Sequence, residues 1–348
     1  MKVHKVAFLA YNERYLSANL KTGPFGARDL NTYGKVRAAA QKIGPWETFL
    51  VENDTGDSLK ADNGLYLSIR NNGVFATGSG VSDAERLGYG PIVKSGLLQP
   101  NSFFGIQKVI GQKTALMNRY GTLLGIDPGN NSALVSGRNP NAVGDWETFT
   151  AIPTEVIDPR DQQVYKTIFF AGKIWMAENL RYQQEGSLAY PNTDTKKLGR
   201  LYTRAQAFAA CPPGWHVPTE KEWSEFIKEY DKDYDGLLEV LTPGQERELE
   251  FGSPEPSSST PMHAYKDLID GGQSGLNIQL GGTADSEGNF RNLDQSGYYL
   301  STKGRFAANE FWFIRFDKEK NNHKEIVSGI LMQETNSFYS CRYVRNWY

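Results

Sequence analysis

The chain holds few residues of the types that carry catalysis or bind metal ions. Among its 348 residues there are two cysteines, Cys211 and Cys341, and four histidines. The histidines are His4, His216, His263 and His323. No two of them have the helix or strand spacing that suits zinc. His216 lies in the segment PGWHVP without a Ser or Cys nucleophile pattern around it, so a packed, hydrogen-bonded structural histidine is favoured over a general base. These observations favour a protein that is not an enzyme.

One acidic segment begins like a calcium-binding loop. The letters DKDYDG, Asp231 to Gly236, give the Asp-x-Asp-x-Asp-Gly opening of such a loop. Its twelfth position, where a bidentate acid is required, is Thr242. Because three carboxylates after a helix are usually a solvated helix end, we expect no cofactor, and calcium at this loop is the lesser alternative.

Composition and charge exclude several classes of protein. With 39% apolar and 22% charged residues the chain is globular in composition, and 348 residues favour two domains. The net charge of −2 argues against nucleic acid as the main partner. The apolar runs are far shorter than the roughly 20 residues of a membrane span, and the first residues lack the pattern of a secretion signal. Residues 1–154 hold 16 basic and 12 acidic residues, which is too mild an excess to name a partner.

A repeated turn organises the first half. IGPWETF, Ile43 to Phe49, recurs as VGDWETF, Val143 to Phe149, and PNSFFGI, Pro100 to Ile106, is a third and weaker copy. A pair of strand-like segments precedes each copy. Three units of about 50 residues that close on one another would remove exposed sheet edges, which predicts a β-trefoil. In this prediction Phe49, Phe104 and Phe149 fill a shared core, and Trp46 and Trp146 have structural positions.

The same segments carry a resemblance to a known family. RYLSAN followed by KVRAAAQKIGPWETFLVE resembles the fascin-like β-trefoils, so residues 1–153 are expected to form such a domain. Fascins bundle actin, and the resemblance implies an actin-directed effector as one alternative function. A chain with a single trefoil would have to oligomerise to bundle filaments.

The second half has a different pattern. AIPTEVI, Ala151 to Ile157, is interpreted as the interdomain connection, and VYKTIFFAGKIWMAENL predicts two strands with a turn at Gly172. Thr203 with Gln206 and Thr219 with Glu222 form capping boxes that predict two helices. The second helix has an apolar stripe of core residues: Trp223, Phe226, Ile227 and Tyr230. Residues 242–275 are rich in Ser, Pro and Gly and predict a long exposed loop, after which several strands complete an α+β domain.

This half closely resembles the Fibrobacter succinogenes major paralogous domain. The residues that carry the resemblance are DPRDQQVYKTIFFAGKIWMAENL, GRLYTRAQAFAACPPGWHVPTEKEW, GLNIQLGGTADSEGNF and SCRYVRN. The resemblance implies that residues 158–348 have a C-type lectin-like fold, which is also the fold of sulfatase-modifying factors. The expected fold class is therefore all-β plus α+β, with a β-trefoil followed by a C-type lectin-like domain. It also implies an extracellular, surface or particle-borne location.

The resemblance further implies roles for the cysteines. Cys211 and Cys341 match positions where the family usually has a pair, so a disulfide is expected, with two buried free thiols as the alternative. A disulfide would imply an oxidising destination. The reactive cysteine pair of sulfatase-modifying relatives is not matched, and the Glu-Pro-Asn and Trp-Asn-Asp elements of calcium-dependent lectins are absent from the sequence.

The expected function is recognition. YYLSTKGRFAANEFWFIRF alternates polar and aromatic residues, a composition typical of an adaptable binding site. The candidate ligand-binding residues are Tyr299, Lys303, Arg305, Asn309, Glu310 and Trp312. The expected partner is a cell-surface glycan or an envelope protein, bound by an adhesin or receptor-binding module. The alternative is a structural adaptor, such as a fibre tip or a decoration of a phage-like or contractile injection particle, with particle or homo-oligomer contacts.

Overall fold

The structure is a computed structural model in which the chain divides into two compact units. It describes residues 2–18, 35–52, 58–62, 64–70, 73–78, 88–91, 113–117, 123–139, 143–191, 193, 195–232, 240–241, 262–302, 311–320, 323–331 and 337–346. One unit holds residues 2–157 and the other holds residues 158–346. Strands predominate in both units, in agreement with the expected all-β or α+β class.

The described part of the first unit consists of strands joined by short 3₁₀ turns. Its strands are β1 (Lys2–Ala10), β2 (Tyr15–Ala18), β3 (Val36–Ala40), β4 (Phe49–Glu52), β5 (Ser58–Lys60), β6 (Tyr66–Arg70), β7 (Gly73–Gly78), β8 (Gly88–Pro91), β9 (Lys113–Met117), β10 (Leu123–Asp127), β11 (Ala133–Arg138) and β12 (Phe149–Ile157). The 3₁₀ turns are Pro45–Glu47, Pro128–Asn130 and Asp145–Glu147.

The segment interpreted as an interdomain connection is instead part of β12. This strand pairs with β1 in antiparallel register from Lys2↔Ile157 to Ala10↔Phe149. The strand contains Pro153, which lacks the N–H that a regular ladder needs. In the structure Pro153 lies opposite Val6, beside a register irregularity of β1. The irregular ladder therefore accommodates the proline, and residues 151–157 form a strand of the first unit that ends where the second unit begins.

The repeated turn has the same structure in the two copies that are described. In each copy the glycine N–H donates to the carboxylate of the glutamate three residues on, at 2.9 Å for Gly44 and 3.0 Å for Gly144. Glu47 and Glu147 are both buried, as are Phe49 and Phe149, which begin the following strands. The glutamate thus caps the turn from inside and directs the phenylalanine into the core. The third copy, with Phe104, lies outside the described residues.

The second unit begins after Ile157 and combines short strands with helices. Its strands are β13 (Val164–Phe170), β14 (Lys173–Met176), β15 (Leu188–Ala189), β16 (Arg200–Tyr202), β17 (Val240–Leu241), β18 (Thr283–Ala284), β19 (Phe290–Arg291), β20 (Ser296–Ser301), β21 (Phe311–Lys320), β22 (His323–Leu331), β23 (Tyr339–Ser340) and β24 (Val344–Asn346). The described helices are α1 (Thr195–Leu198), α2 (Arg204–Ala209), α3 (Glu220–Tyr230) and α4 (Met262–Leu268).

Both predicted capping boxes are confirmed. Thr203 caps α2 with Gln206, and Thr219 caps α3 with Glu222. The stripe of α3 is confirmed as a core face. Trp223, Phe226 and Ile227 are buried, and the half-buried Tyr230 packs against the same cluster. The predicted strand pair is also present as β13 and β14, which meet at a turn where Gly172 has a positive φ of 74°.

The prediction of a long loop over residues 242–275 was wrong in part, because α4 lies within it. Ala264, Tyr265 and Leu268 of α4 are buried against the cluster that holds Trp223. Ala264 and Tyr265 lie four and three residues before Leu268, which is the spacing of neighbours on one helix face. The Ser- and Pro-rich segment before α4 concealed this pattern, and residues 242–261 lie outside the described part of the chain.

The main sheet of the second unit gathers strands from the whole of that unit. Its order is β15-β16-β23-β20-β21-β22-β17, and α3 and α4 pack against it. Trp175 on β14 makes edge contacts with Trp223 and Phe226 at ring centroid distances of 5.2 and 5.3 Å. Among the described residues, no helix has the length and apolar character needed to cross a membrane.

Candidate functional site

The candidate site is built on the hairpin of β20 and β21. The two strands pair from Ser296↔Asp317 to Ser301↔Trp312. Because side chains alternate between the faces of a strand, this register assigns Tyr299 and Ile314 to one face and Tyr298 and Arg315 to the other. The first face packs on the helices, and the second, called the outer face below, is turned away from the helices and is itself largely buried.

Tyr299, one of the candidate ligand-binding residues, lies in the core. Its side chain is fully buried and contacts Trp223 and Phe316. The hydroxyl donates to the carbonyl of Gln279 at 2.9 Å and accepts from the N–H of the same residue at 2.8 Å. Both hydrogen-bonding capacities of the hydroxyl are thus used within the protein. This position gives Tyr299 a supporting role and corrects the prediction that it contacts a ligand directly.

The outer face carries a buried ion pair. Arg315 Nε lies 2.7 Å from Asp317 Oδ2, and the hydroxyl of Ser296 donates to Asp317 Oδ1 at 2.6 Å. Both charged side chains are largely shielded from solvent. An ion pair that is held by a further hydrogen bond fixes the positions of its side chains. The far end of the hairpin is thereby rigid on this face.

Aromatic rings lie next to this ion pair. Tyr298 packs against Phe313 and Tyr339 at centroid distances of 5.8 and 6.3 Å, and Phe313 stacks on Tyr339 at 5.9 Å. The hydroxyl of Tyr298 accepts from Asn292 Nδ2 at 3.1 Å. Burial raises the pKa of Tyr298, so the phenol stays neutral at physiological pH. The cluster presents a half-buried neutral tyrosine supported by two buried rings.

The start of the connection between β20 and β21 is anchored to the N-terminus of α3. The Ser301 hydroxyl and the Thr302 N–H both donate to the Pro218 carbonyl, at 3.2 and 3.0 Å. The Glu220 N–H donates to the Thr302 carbonyl at 2.8 Å. The connection therefore leaves the sheet from a fixed point. Four candidate residues on it, Lys303, Arg305, Asn309 and Glu310, lie outside the described residues.

Trp312, the remaining candidate, is described through its backbone. It pairs with Ser301 on one side and with Ile330 on the other. This register puts Trp312 at the first step of the ladder, where the connection rejoins the sheet. The structure therefore places the two ends of the connection between β20 and β21 at the same end of the hairpin.

The residues of the outer face are not among those predicted from the sequence. Tyr298, Arg315 and Asp317 lie within or beside the predicted segment but were not candidates. The alternation of side chains along a strand could have revealed this face, because a buried Tyr299 requires Tyr298 to point to the opposite face. The contributions of Asn292 and Tyr339 depend on long-range packing, which local patterns do not reveal.

The predicted disulfide is absent from the structure. Cys211 and Cys341 are both free thiols, Cys211 half-buried and Cys341 buried. Cys211 Sγ donates to the Trp215 carbonyl at 3.2 Å. Burial raises the pKa of Cys211 to about 11 and raises that of Cys341 further. Two protonated, packed thiols agree with the alternative considered from the sequence and do not resemble a reactive nucleophile.

His216 has the hydrogen-bonded structural role that the sequence predicts. Its Nε2 lies 3.0 and 3.1 Å from the two carboxylate oxygens of Glu222, the capping residue of α3. Its backbone N–H and carbonyl pair with those of Val344 on β24. His216 therefore links the N-terminus of α3 to the last strand.

The segment considered for calcium is described only at its beginning. Asp231 is buried and caps the C-terminus of α3 through its N–H, which donates to the Ile227 carbonyl at 3.0 Å. Residues 233–239 and Thr242 lie outside the described part. Within the ranges that the structure describes, no group of three or more His, Cys, Asp or Glu side chains is arranged to hold a metal ion.

The second unit defines the class of the protein, a β-rich domain with a capped helix packed on a mixed sheet. The model of the Fibrobacter succinogenes major domain family matches residues 168–345, which is slightly more than half of the chain. The chain belongs to this family. The match confirms the family predicted from the sequence motifs.

Other comparisons add little. A search of curated protein sequences finds no match to the chain. A solved structure described as "Structure and mode of action of a mosquitocidal holotoxin" shares 11% identity and has a TM-score of 0.30, covering 58% of this chain and 28% of that one. The crystal structure of Cry35Ab1 shares 10% identity and has a TM-score of 0.27, covering 99% of this chain and 88% of that one. At these TM-scores neither likeness supports a conclusion about fold or function.

Proposed function

We propose that the protein is a non-enzymatic recognition protein that binds a cell-surface glycan or an envelope protein. In this proposal it acts outside the cell, at a cell surface or on a secreted particle. The connection between β20 and β21 carries the contacts, through Lys303, Arg305, Asn309, Glu310 and Trp312. Tyr299 supports this connection from the core.

The observation that best supports this function is that the connection is attached to the rest of the unit at a fixed point. Its first residues are tied to Pro218 at the start of α3. The ladder of β20 and β21 below it is held by the Arg315–Asp317 pair and the rings of Tyr298 and Phe313. Binding residues are commonly found on loops that a rigid scaffold positions. A hairpin with a rigid base and a connection rich in charged and aromatic residues fits this arrangement.

We further propose that the second unit has a C-type lectin-like fold and that the first unit is a fascin-like β-trefoil. For the first unit, support comes from strands that belong to three successive repeats. β11 pairs with β3 through Ala133↔Arg37 and with β7 through Val135↔Gly73. β1 pairs with both β12 and β4. Pairing between the repeats in this manner is the pattern that a closed three-unit fold requires.

The test is a binding screen with the purified full-length protein against a glycan array and bacterial cells. The variants are Trp312→Ala and the double substitution Lys303→Ala with Arg305→Ala. Lys318→Ala is the matched control, because Lys318 is an exposed lysine at the opposite end of β21. We expect saturable binding by the wild-type protein, a loss of about tenfold or more in affinity for each test variant, and no change for the control.

Other outcomes would overturn the proposal. Equal losses for Lys318→Ala and for the double substitution Lys303→Ala with Arg305→Ala would show that positive charge alone, and not this connection, determines binding. An absence of binding to any glycan or cell would favour the structural adaptor. In that case the same preparation would be examined for assembly into oligomers or particles by light scattering.

A further inference from the structure

The two described copies of the repeated turn differ in the exposure of their tryptophan. Trp146 is 45% exposed, which places it among the most exposed large apolar side chains of the described residues. Trp46 occupies the same position in the first copy and is half-buried. The backbone, the capping glutamate and the following phenylalanine are equivalent in the two turns. The exposure of Trp146 is therefore not a requirement of the turn itself.

An arginine lies beside the exposed indole. The guanidinium carbon of Arg138, at the end of β11, is 5.7 Å from the centroid of the Trp146 ring. Its Nε lies 3.7 Å from Glu147 Oε1, and its Nη2 donates to the Ile126 carbonyl at 3.4 Å. The arginine side chain nevertheless remains 31% exposed. Arg138 is thus held on one side while its side chain as a whole stays partly exposed.

The neighbouring residues fix this arrangement. Oε2 of Glu147 accepts from the Gly144 N–H at 3.0 Å, and Oε1 of the same carboxylate faces Arg138 Nε at 3.7 Å. Gly125 lies directly beneath, where a Cβ would come within 2.9 Å of Glu147 Oε1 and 3.1 Å of Arg138 Cγ. The absence of a side chain at Gly125 therefore allows the two charged residues to approach the strand. The result is a preorganised pair of an apolar ring and a cation.

We propose that Trp146 and Arg138 form a binding site for an acidic sugar, that is, a pyranose ring that bears a carboxylate. An exposed indole offers an apolar face to the C–H groups of a pyranose, and a guanidinium donates to a carboxylate in a fork geometry. Asp145 in the same turn is exposed, so solvent screens its charge.

This site uses none of the residues of the hairpin of β20 and β21, and the inference does not rest on the function proposed above. Its residues lie in the unit of residues 2–157, whereas the hairpin lies in the unit of residues 158–346. Substitutions at one site can therefore be tested without altering the other.

The experiment measures binding of the full-length protein to two hexasaccharides by isothermal titration calorimetry. One is a β-1,4-linked hexamer of glucuronic acid, and the other is cellohexaose, which carries a hydroxymethyl group in place of each carboxylate. We expect binding of the glucuronic acid hexamer, at least about tenfold weaker binding of cellohexaose, and an affinity that falls as salt is added.

Four variants locate the site. Trp146→Ala and Arg138→Gln should each weaken binding of the glucuronic acid hexamer by about tenfold or more, and Arg138→Lys should have an intermediate effect. Trp46→Ala, the same substitution in the equivalent turn, should leave the affinity within about twofold. Thermal unfolding of each variant checks that the fold is kept. Because Trp146 is exposed, Trp146→Ala still tests the site if Arg138→Gln fails to fold.

Three results would each overturn the inference. Equal affinity for cellohexaose would show that the carboxylate is not recognised. Unchanged affinity in Trp146→Ala would place the sugar elsewhere on the protein. A complete lack of binding to the glucuronic acid hexamer would remove the site.

Discussion

The Oε1 atom of Glu222 lies 3.0 Å from Nε2 of His216. The other carboxylate oxygen of Glu222 accepts from the N–H of Thr219 at 2.8 Å and from its hydroxyl at 3.0 Å. Lys173 Nζ approaches the same carboxylate at 3.9 Å. One buried acid therefore completes the capping box of α3 and also ties the helix to the segment before it.

The ionisation of Glu222 should make stability depend on pH. Burial alone would raise the pKa of Glu222, but the hydrogen bonds from His216 and Thr219 and the charge of His216 hold it below the ordinary value of 4.5. A lowered pKa in the folded state stabilises the protein above the unfolded pKa and ceases to do so as the pH falls through the folded pKa. We expect Glu222→Gln to lower the free energy of unfolding at pH 7 by about 1 to 2 kcal/mol.

Urea unfolding at several pH values between 7 and 3 measures this effect. The difference between wild type and Glu222→Gln should shrink as the pH falls below about 4.5. Glu225→Gln is the matched control, since Glu225 is a more exposed glutamate on the same helix. A difference for Glu222→Gln that stayed constant down to pH 3 would show that its charge is not involved.

Tyr299 should contribute to stability and not to binding. In Tyr299→Phe the N–H and carbonyl of Gln279 lose their shared partner, because the Tyr299 hydroxyl serves both at 2.8 and 2.9 Å. We expect the free energy of unfolding to fall by about 1 to 3 kcal/mol, the cost of leaving buried polar groups unsatisfied. Ligand affinity should remain that of the wild type. A loss of affinity at unchanged stability would restore Tyr299 as a contact residue.

The two thiols should be present and slow to react in the native protein. Burial raises the pKa of Cys211 to about 11, so only a small fraction is thiolate at pH 8. Cys341, which is buried, should be less reactive still. We expect titration with Ellman's reagent to detect both thiols in denaturant and a much slower reaction without it. An intact mass that is lower by the mass of two hydrogen atoms, together with no thiol detected in denaturant, would instead establish the disulfide.

Local chemistry accounts for the features that the sequence predicts well. The turn of Gly44 and Glu47 and the cap of Thr219 and Glu222 each involve residues only three positions apart, so their hydrogen bonds can be read from spacing. The stripe that contains Trp223 follows from the helical period in the same way. The family was recognisable for the same reason, since its motifs are short and continuous.

Features that depend on distant residues were missed or misread. Residues 151–157 form a strand by pairing with β1, which lies about 150 residues earlier in the chain. The burial of Tyr299 depends on Gln279 and on α3. A local alternation of residues indicates that a strand has two faces, but it does not indicate which face is covered by other parts of the protein. The packing of Tyr299 therefore does not allow the ligand-contact role that the local pattern predicted.

Arg342 shows the strongest such long-range dependence. It is 1% exposed, and its guanidinium donates to Asn179 Oδ1 at 2.8 Å and to the Asn277 carbonyl at 2.6 Å. It also donates to the carbonyls of Leu276 and Met176. The cation thus joins three segments that are separated by as many as 166 residues in the chain.

Replacing Arg342 should destabilise the second unit strongly. Arg342→Met removes every donor and leaves buried carbonyls without partners, and Arg342→Lys keeps the charge but not the planar fork that reaches them together. We expect each variant to lower the free energy of unfolding by about 3 to 5 kcal/mol in urea titrations followed by tryptophan fluorescence. Arg291→Ala, at an exposed arginine whose ion pair with Asp285 lies on the surface, should cost less than about 1 kcal/mol. If Arg342→Lys were as stable as the wild type, charge alone would suffice at this position and the fork of hydrogen bonds would have no structural role.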